Sequence, residues 1–417
     1  MSTQKLSRAV AVLTILAATP FMLATRASAQ QEKVLHSFNS TSKVGTNPDS
    51  PLIFDSAGNL YGTTGLGGAY NGGSLFELTP AAGGRWTIKV LHEFGNGTDG
   101  KTPYGNLIFD AAGNLYGVTA FGGPNSGGTA FELSPQAGGI WRETILHSFN
   151  SSATDGNSPT GGLVFGVSSN LYGTTNGGGA DNTGIVFALS PAAGGTWTET
   201  ILHSFGNNST PDGQQPYLVQ LVIDVAGNLY GTTEYGGAFK SGTVFEISPA
   251  AGGSWTESVL HSFNPATTEG YSPSSGLTVD ASGNLYGTAY FGGANNAGSL
   301  FKLSPLPGGG WKETAIYDFK NDGIDGRNPA ASLIIDKAGH LYGTAFFGGA
   351  YGYGAAFELT RKAGGGWTEK QLHSFNNNGS DAYYPFVPLT LSSAGILFGT
   401  TNGGGLYSAG TIFEIKP

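Results

Sequence analysis

A short motif, Leu-Tyr-Gly, recurs along this 417-residue chain at a nearly constant interval. Its aromatic residue stands at seven positions: Tyr61, Tyr116, Tyr172, Tyr230, Tyr286, Tyr342 and, as phenylalanine, Phe398. The successive spacings are 55, 56, 58, 56, 56 and 56 residues. A fixed interval of this length indicates a repeat architecture, and it overrides the two or three domains that chain length alone would suggest.

Each unit contains four short β-strand patterns separated by turn sequences. In the first unit these are LIFD from Leu52, LYGTT from Leu60, LFEL from Leu75, and a segment that runs from Trp86 to LHEF. The 70 glycines and the charged fraction of 11% disfavour helices, and the aromatic fraction of 12% excludes disorder. Four strands in about 50 residues is the size of a propeller blade, whereas a parallel β-helix has much shorter coils. We predict an all-β, seven-bladed β-propeller with four antiparallel strands per blade.

The two ends of the chain predict how the ring closes. In six units a tryptophan precedes the fourth-strand His or Tyr by six residues, and counting back six from His36 reaches Gln30. Pro417 occupies the position of Pro80, where the third strand ends. Residues 30–38 should therefore supply the fourth strand of the last blade, whose other strands lie in residues 385–417. This 3+1 closure removes an unpaired sheet edge, and it does so in a chain without cysteine.

Residues 1–29 have the features of a signal peptide, with basic Lys5 and Arg8, an apolar stretch at residues 9–18 and an A-S-A sequence ending at Ala29. The apolar stretch is too short for a membrane span, although an uncleaved anchor is the alternative. We expect cleavage near Ala29 and a secreted, extracellular or periplasmic protein, residues 30–417, without a membrane span and monomeric. Cleavage changes the net charge from −9 to −12, which disfavours nucleic acid as a partner.

The repeated pattern L-H-S-F, D-G-x-x-P, L-I-x-D-x-x-G-N-L-Y-G-T-T and G-x-x-F-E-L resembles the choice-of-anchor tandem repeat GloVer-containing proteins, over residues 30–417. The resemblance implies an exported repeat protein, often attached to the cell by a C-terminal sorting signal, and it supplies no catalytic residues. This chain ends in FEIKP without such a signal, so we expect free secretion.

Six of the seven histidines lie in fourth strands of different blades. Ligands of one metal ion must lie about 2 Å from it, so histidines on separate blade rims cannot share an ion. We interpret them as hydrogen-bonding residues of the blade.

The D-G-x-x-P loop provides a series of carboxylates ahead of the first strand: Asp99, Asp155, Asp212, Glu269, Asp325 and Asp381. Val44 interrupts the series. If the first strand lines the channel, these residues form a ring at one mouth that would suit Ca²⁺ or a cationic ligand. Asp-Gly is also a standard turn pair, and we favour that structural explanation. No other cofactor is expected.

The loop after the second strand returns to the same mouth, and its first two residues differ between blades. The candidate ligand-binding residues there are Phe121, Asn176, Glu234, Tyr235, Tyr290, Phe291, Phe346, Phe347 and Asn402. Aromatic rings beside amides and carboxylates suit a sugar, because they combine a stacking surface with hydrogen bonds. The alternative, which we favour here, is that the aromatic rings fill gaps between blades.

These observations predict a binding or scaffold module for an extracellular glycan or protein. The alternative is a secreted carbohydrate-active hydrolase or lyase that uses mouth carboxylates, such as Glu234 with Asp212 or Asp381. A purely structural envelope protein is a third possibility. The chain has no G-x-S-x-G sequence, no H-E-x-x-H sequence and no cysteine nucleophile.

Overall fold

The described residues, 32–206 and 211–417 of a computed structural model, form seven four-stranded antiparallel sheets. The predicted signal peptide lies outside them. Seven hydrophobic clusters each combine residues of two successive blades, and the seventh joins Phe398 and Ile412 of the last blade to Leu52 and Phe76 of the first. The blades therefore close into a ring, and the prediction of a seven-bladed propeller is confirmed.

Blades are numbered 1 to 7 from the N-terminal to the C-terminal Leu-Tyr-Gly motif. The first strands are Ile53–Phe54, Gly100–Phe109, Leu163–Phe165, Val222–Ile223, Thr278–Val279, Ile334–Ile335 and Thr390–Leu391. The second strands are Leu60–Thr64, Leu115–Gly122, Leu171–Thr175, Leu229–Thr233, Leu285–Ala289, Leu341–Ala345 and Leu397–Thr401. The third strands are Ser74–Ala81, Thr129–Pro135, Ile185–Pro191, Thr243–Pro249, Ser299–Pro305, Ala355–Arg361 and Thr411–Ile415. The fourth strands are Arg85–Glu93, Trp141–Ser148, Trp197–Ser204, Trp255–Ser262, Trp311–Asp318, Trp367–Ser374 and, for blade 7, Lys33–Ser37. Short 3₁₀ turns occupy Val167–Ser169, Ala193–Gly195 and Ala251–Gly253.

The second strand is the most buried element of each blade, and its glycine explains why Leu-Tyr-Gly repeats so strictly. A Cβ added to Gly117 would lie less than 3 Å from the ring of Phe131 and from Leu107. The equivalent glycines of the other six blades face the third-strand phenylalanine in the same way. Any larger residue would separate the strands at the centre of the blade.

Aromatic side chains bridge one blade to the next. Trp141 of blade 2 packs against Tyr61 of blade 1, with ring centroids 6.4 Å apart. Phe94, which follows the fourth strand of blade 1, packs against Phe131 of blade 2 at 5.1 Å. These contacts recur around the ring, so the repeated Trp, Tyr and Phe residues hold neighbouring blades together.

Blade 7 closes with the N-terminal strand, as predicted. Lys33 pairs with Glu414 and Val34 with Phe413, and the register then shifts by one residue, as it does between the third and fourth strands of the other blades. Phe38 lies at the boundary of blades 7 and 1, where its ring is fully buried and 5.5 Å from that of Phe76. No helix among the described residues is long and apolar enough to cross a membrane.

Candidate functional site

The loop before the first strand pairs with the loop after the second strand. Five blades form a two-stranded ribbon in this way: Gly156–Asn157 with Gly177–Gly178, Gly213–Gln214 with Tyr235–Gly236, Gly270–Tyr271 with Phe291–Gly292, Gly326–Arg327 with Phe347–Gly348, and Ala382–Tyr383 with Gly403–Gly404. In blade 2 the ribbon continues into the blade, and in blade 1 a single bridge joins Thr46 to Leu66. Both loops therefore lie at one mouth of the channel, and we call this side the mouth face.

A strained residue sets the geometry of the D-G-x-x-P loop. The residue before the proline has left-handed backbone conformation in all seven blades, with φ between 53° and 60°: Asn47, Thr102, Ser158, Gln215, Ser272, Asn328 and Tyr384. In blade 3, the Ser158 N–H donates to the Gly127 carbonyl of blade 2 at 2.8 Å, and its own carbonyl accepts from the Asn176 N–H at 3.1 Å. Because the same strained conformation occurs in every blade, we attribute it to the structure of the blade and not to the binding of one ligand.

The residue after that proline differs between blades: Asp49, Tyr104, Thr160, Tyr217, Ser274, Ala330 and Phe386. Four of these residues, from blades 1, 3, 6 and 7, line a cavity of about 40 Å³, which we call the axial cavity. Neighbouring loop residues of blades 2, 4 and 5 complete its lining. Our sequence reasoning missed this ring, because it considered only the loop's Asp-Gly pair. These residues differ between blades, as do the residues after the second strand, so a comparison of the blades at this position would have identified them.

Asp49 is the charged group of the axial cavity. Only 5% of the residue is exposed, and its Oδ1 has no hydrogen-bond partner. Burial raises the pKa of Asp49 to about 7, against an opposing effect of the Asn402 side chain. Burial and the charge of Asp49 raise the pKa of Tyr104, and burial, Asp49 and Glu234 raise the pKa of Tyr217. These side chains therefore share one electrostatic environment at the mouth.

All nine predicted ligand-binding residues lie on the mouth face, within the last residues of a second strand (Phe121) or just after it, and they differ in burial. Asn176, Glu234, Tyr290, Phe346, Phe347 and Asn402 are half-buried. Phe121, Tyr235 and Phe291 are 54%, 44% and 44% exposed. Phe346 stacks on Tyr384 with centroids 5.1 Å apart, so at blades 6 and 7 the aromatic rings do fill an inter-blade gap. Whether the nine residues bind a ligand stays a prediction.

The six loop carboxylates do not converge on one ion. Each carboxylate lies in its own inter-blade junction, where it binds the fourth-strand His or Tyr of the preceding blade and faces a glutamate of the following fourth strand. The His92 Nε2 lies 3.0 Å from the Asp99 Oδ2, and Glu143 completes this junction. The other junctions are His147–Asp155–Glu199, His203–Asp212–Glu257, His261–Glu269–Glu313, Tyr317–Asp325–Glu369 and His373–Asp381–Glu32. A shared cation ring is not the arrangement found.

The chemistry common to the junctions is a hydrogen bond to a carboxylate. Four of them bring one histidine and two carboxylate ligand atoms within 4.8 Å of one another, which in principle suits a metal ion. In the junction of blades 5 and 6, however, Tyr317 replaces histidine and its hydroxyl donates to Asp325 at 2.6 Å. Since tyrosine keeps the donor but is a poor substitute for a histidine ligand, we interpret the junctions as structural.

The boundary between blades 7 and 1 lacks both acids. Val44 stands in place of the loop carboxylate and Ile88 in place of the glutamate, and both pack against the hydrophobic cluster of that boundary. Burial lowers the pKa of His36. The joint replacement indicates that the two acids of a junction depend on each other.

Burial and the neighbouring carboxylate raise the pKa of the junction glutamates. The pKa reaches about 8 for Glu143, about 9 for Glu32, and about 7 for Glu199, Glu257, Glu313 and Glu369. Burial raises the pKa of Glu234 too, but neither Asp212 nor Asp381 contributes to that shift. The catalytic pairs suggested by the sequence are therefore not assembled, because both aspartates are engaged in junctions.

Among solved structures, the chain is similar to an ancestral GH74 enzyme at 12% identity, with a TM-score of 0.54, over 90% of this chain and 48% of the other. It is also similar to a protein provisionally described as a gluconolactonase (12% identity, TM-score 0.42, 83% of this chain and 95% of the other). A luciferin-regenerating enzyme gives 13% identity and a TM-score of 0.38, over 74% of this chain and 87% of the other. Identities this low show, at most, a shared fold.

No curated protein sequence matches the chain. The Gloeobacter/Verrucomicrobia repeat matches it three times, over residues 21–164, 142–312 and 256–417. Together these matches cover residues 21–417, which include the whole propeller, and they agree with the repeated pattern on which the sequence-based resemblance rests. The chain therefore belongs to the Gloeobacter/Verrucomicrobia repeat family.

Proposed function

We propose that this propeller is an exported binding module that holds a neutral glycan chain across its mouth face. The observation that carries the proposal is the exposure of Phe121, Tyr235 and Phe291 at equivalent positions of blades 2, 4 and 5. Exposed rings set around a polar centre provide stacking surfaces for successive sugar rings. Leu66, Tyr70 and Tyr407 add exposed apolar surface on the same face.

Charge and cavity size narrow the choice of ligand. The net charge of −9 for the whole chain disfavours an acidic polysaccharide. The axial cavity of about 40 Å³ is too small for a sugar ring, because small-molecule pockets typically measure ~300–1,000 Å³. A glycan would therefore lie over the mouth and not enter the channel.

A carbohydrate-active enzyme is the second candidate function. Asp49 and Glu234 both act on the pKa of Tyr217, so the mouth does bring two carboxylates near one tyrosine. If the site is catalytic, Asp49→Asn and Glu234→Gln will abolish turnover of a bound polysaccharide. If it is only a binding site, binding will survive both substitutions and no turnover will be found.

Affinity electrophoresis against a panel of neutral and acidic polysaccharides tests the binding proposal. Tyr235→Ala and Phe291→Ala should each weaken binding to the best neutral ligand about 5- to 30-fold, or ~1–2 kcal/mol. Ile140→Ala is the matched control, because Ile140 is 67% exposed but lies in a turn on the opposite face. The proposal fails if no neutral polysaccharide binds, or if Ile140→Ala weakens binding as much as Tyr235→Ala does.

A further inference from the structure

Two residues that line the axial cavity each carry a buried oxygen atom without a hydrogen-bond partner. Asp49 and Asn106 are 5% and 8% exposed, they come from blades 1 and 2, and the Oδ1 of each is unpaired. Both residues line the same cavity. An unpaired buried oxygen costs about 1–3 kcal/mol, and more when it carries charge, so two of them around one cavity need an explanation.

Other polar side chains of the cavity already have partners. The Ser275 hydroxyl hydrogen-bonds the Thr288 hydroxyl at 2.8 Å, and the Thr160 hydroxyl accepts from the Leu218 N–H at 3.2 Å. The unpaired Oδ1 atoms of Asp49 and Asn106 are therefore exceptions among the polar groups of the cavity, although the Asn402 side chain does hydrogen-bond the Asp49 carboxylate. No lysine or arginine of the described chain affects the pKa of Asp49, so no protein cation compensates its charge.

We propose that the axial cavity binds a hard cation, Ca²⁺, through the Asp49 and Asn106 side-chain oxygens. Protonation could neutralise the aspartate, but the amide oxygen of Asn106 only accepts and gains nothing from a proton at Asp49. One cation satisfies both oxygens together. The volume of about 40 Å³ suits an ion with one or two waters, since a water requires ~10–15 Å³ on this measure.

The ligand set also predicts the affinity. One carboxylate with neutral oxygens is a weak donor set, so the Kd should lie at roughly 10⁻⁴–10⁻³ M, as in extracellular Ca²⁺ modules. An ion held by blades 1 and 2 would stabilise the ring next to the boundary where the chain closes. This inference does not depend on glycan binding.

Thermal unfolding of the mature chain, stripped with a chelator and titrated with CaCl₂, tests the proposal. The Tm should begin to rise when the Ca²⁺ concentration reaches the Kd, at roughly 0.1–1 mM, and should then increase with the logarithm of that concentration. Asp49→Asn and Asn106→Ala should each weaken this response at least 10-fold while folding normally, as judged by circular dichroism in chelator. Glu199→Gln is the control, because it removes a carboxylate from a junction that also has metal-ligating geometry.

Tb³⁺ luminescence gives a readout of position. Tb³⁺ bound at Asp49 should be sensitised by Tyr104, so Tyr104→Phe should lower the emission more than it lowers the affinity for Tb³⁺. The axial assignment is overturned if Ca²⁺ leaves the wild-type Tm unchanged, or if Asp49→Asn keeps the response. It is equally overturned if Glu199→Gln loses the response, since the ion would then lie in a junction.

Discussion

A protein that begins after residue 38 is expected to lose its cooperative unfolding transition and to elute as aggregate. Removing the Lys33–Ser37 strand leaves Thr411–Ile415 as an open sheet edge, and such edges template intermolecular pairing. It also removes Phe38, whose fully buried ring packs against Phe76 of blade 1. Loss of one buried phenylalanine alone costs about 3–5 kcal/mol, a large part of the ~5–15 kcal/mol that typically holds a domain folded.

The reference for this experiment is the chain that begins at residue 30, compared by size-exclusion chromatography and differential scanning calorimetry. Phe38→Ala should give an intermediate result, with a folded protein of lower Tm, because it keeps the strand pairing and loses only the ring. A truncated protein that stays monomeric and melts with the reference would show that the N-terminal strand is dispensable.

Stability should be highest in mild acid and should fall as the pH rises from about 5 to 9. The six junction glutamates have pKa values of about 7 to 9 when folded, against 4.5 for an ordinary glutamate. A raised pKa means that the folded state holds the proton more tightly, so the stabilisation is complete below pH 4.5 and is lost as the pH passes through 7 to 9. His36 and His261, whose pKa burial lowers, oppose this trend below about pH 6.5.

The expected fall is several kcal/mol, or on the order of 10 °C in Tm for a chain of this size. Glu143→Gln isolates one junction, because glutamine keeps the shape of the glutamate in its protonated form. The variant should be more stable than wild type at pH 8.5 and no more stable at pH 5, as measured by thermal unfolding at both pH values. A variant that is less stable at both would indicate that the ionised Glu143 carboxylate is favourable in the fold.

The number of repeats and the closure of the ring could be predicted because both depend on sequence signals that lie within one repeat unit. The turn pairs, the strand patterns and the position of Trp relative to His each lie within one unit, so counting units was enough to place residues 30–38 in the last blade. The junctions could not be predicted in this way. His92 and Asp99 are seven residues apart, but Glu143 comes from the next blade and only the packing of blades brings it to them.

The candidate site shows the same limit. The sequence predicts that the ring of carboxylates faces the channel, because the Asp-Gly pair precedes the first strand, yet five of the six carboxylates turn to a histidine of an outer strand and Asp325 turns to Tyr317. The residue four positions after Gly45, Asp49, enters the axial cavity instead. Which side of a loop faces the axis depends on the left-handed residue before the proline, and propensity alone does not predict that conformation for Thr102 or Tyr384.

Cross-linking with an engineered disulfide tests the closed ring most directly. The chain has no cysteine, and Lys33 and Glu414 are cross-strand partners whose side chains form an ion pair at 3.4 Å. Paired antiparallel residues have Cα atoms about 4.5–5.5 Å apart, within the range of a disulfide. Glu246 occupies the position of Glu414 in blade 4 and provides the mismatched control.

Under oxidation, the Lys33→Cys/Glu414→Cys protein should form one intramolecular disulfide, found by peptide mapping as a link between the two ends of the chain. The Lys33→Cys/Glu246→Cys protein should keep two free thiols. A seven-bladed ring closed by the N-terminal strand would be contradicted if the first pair stayed reduced or if the second pair cross-linked within one chain.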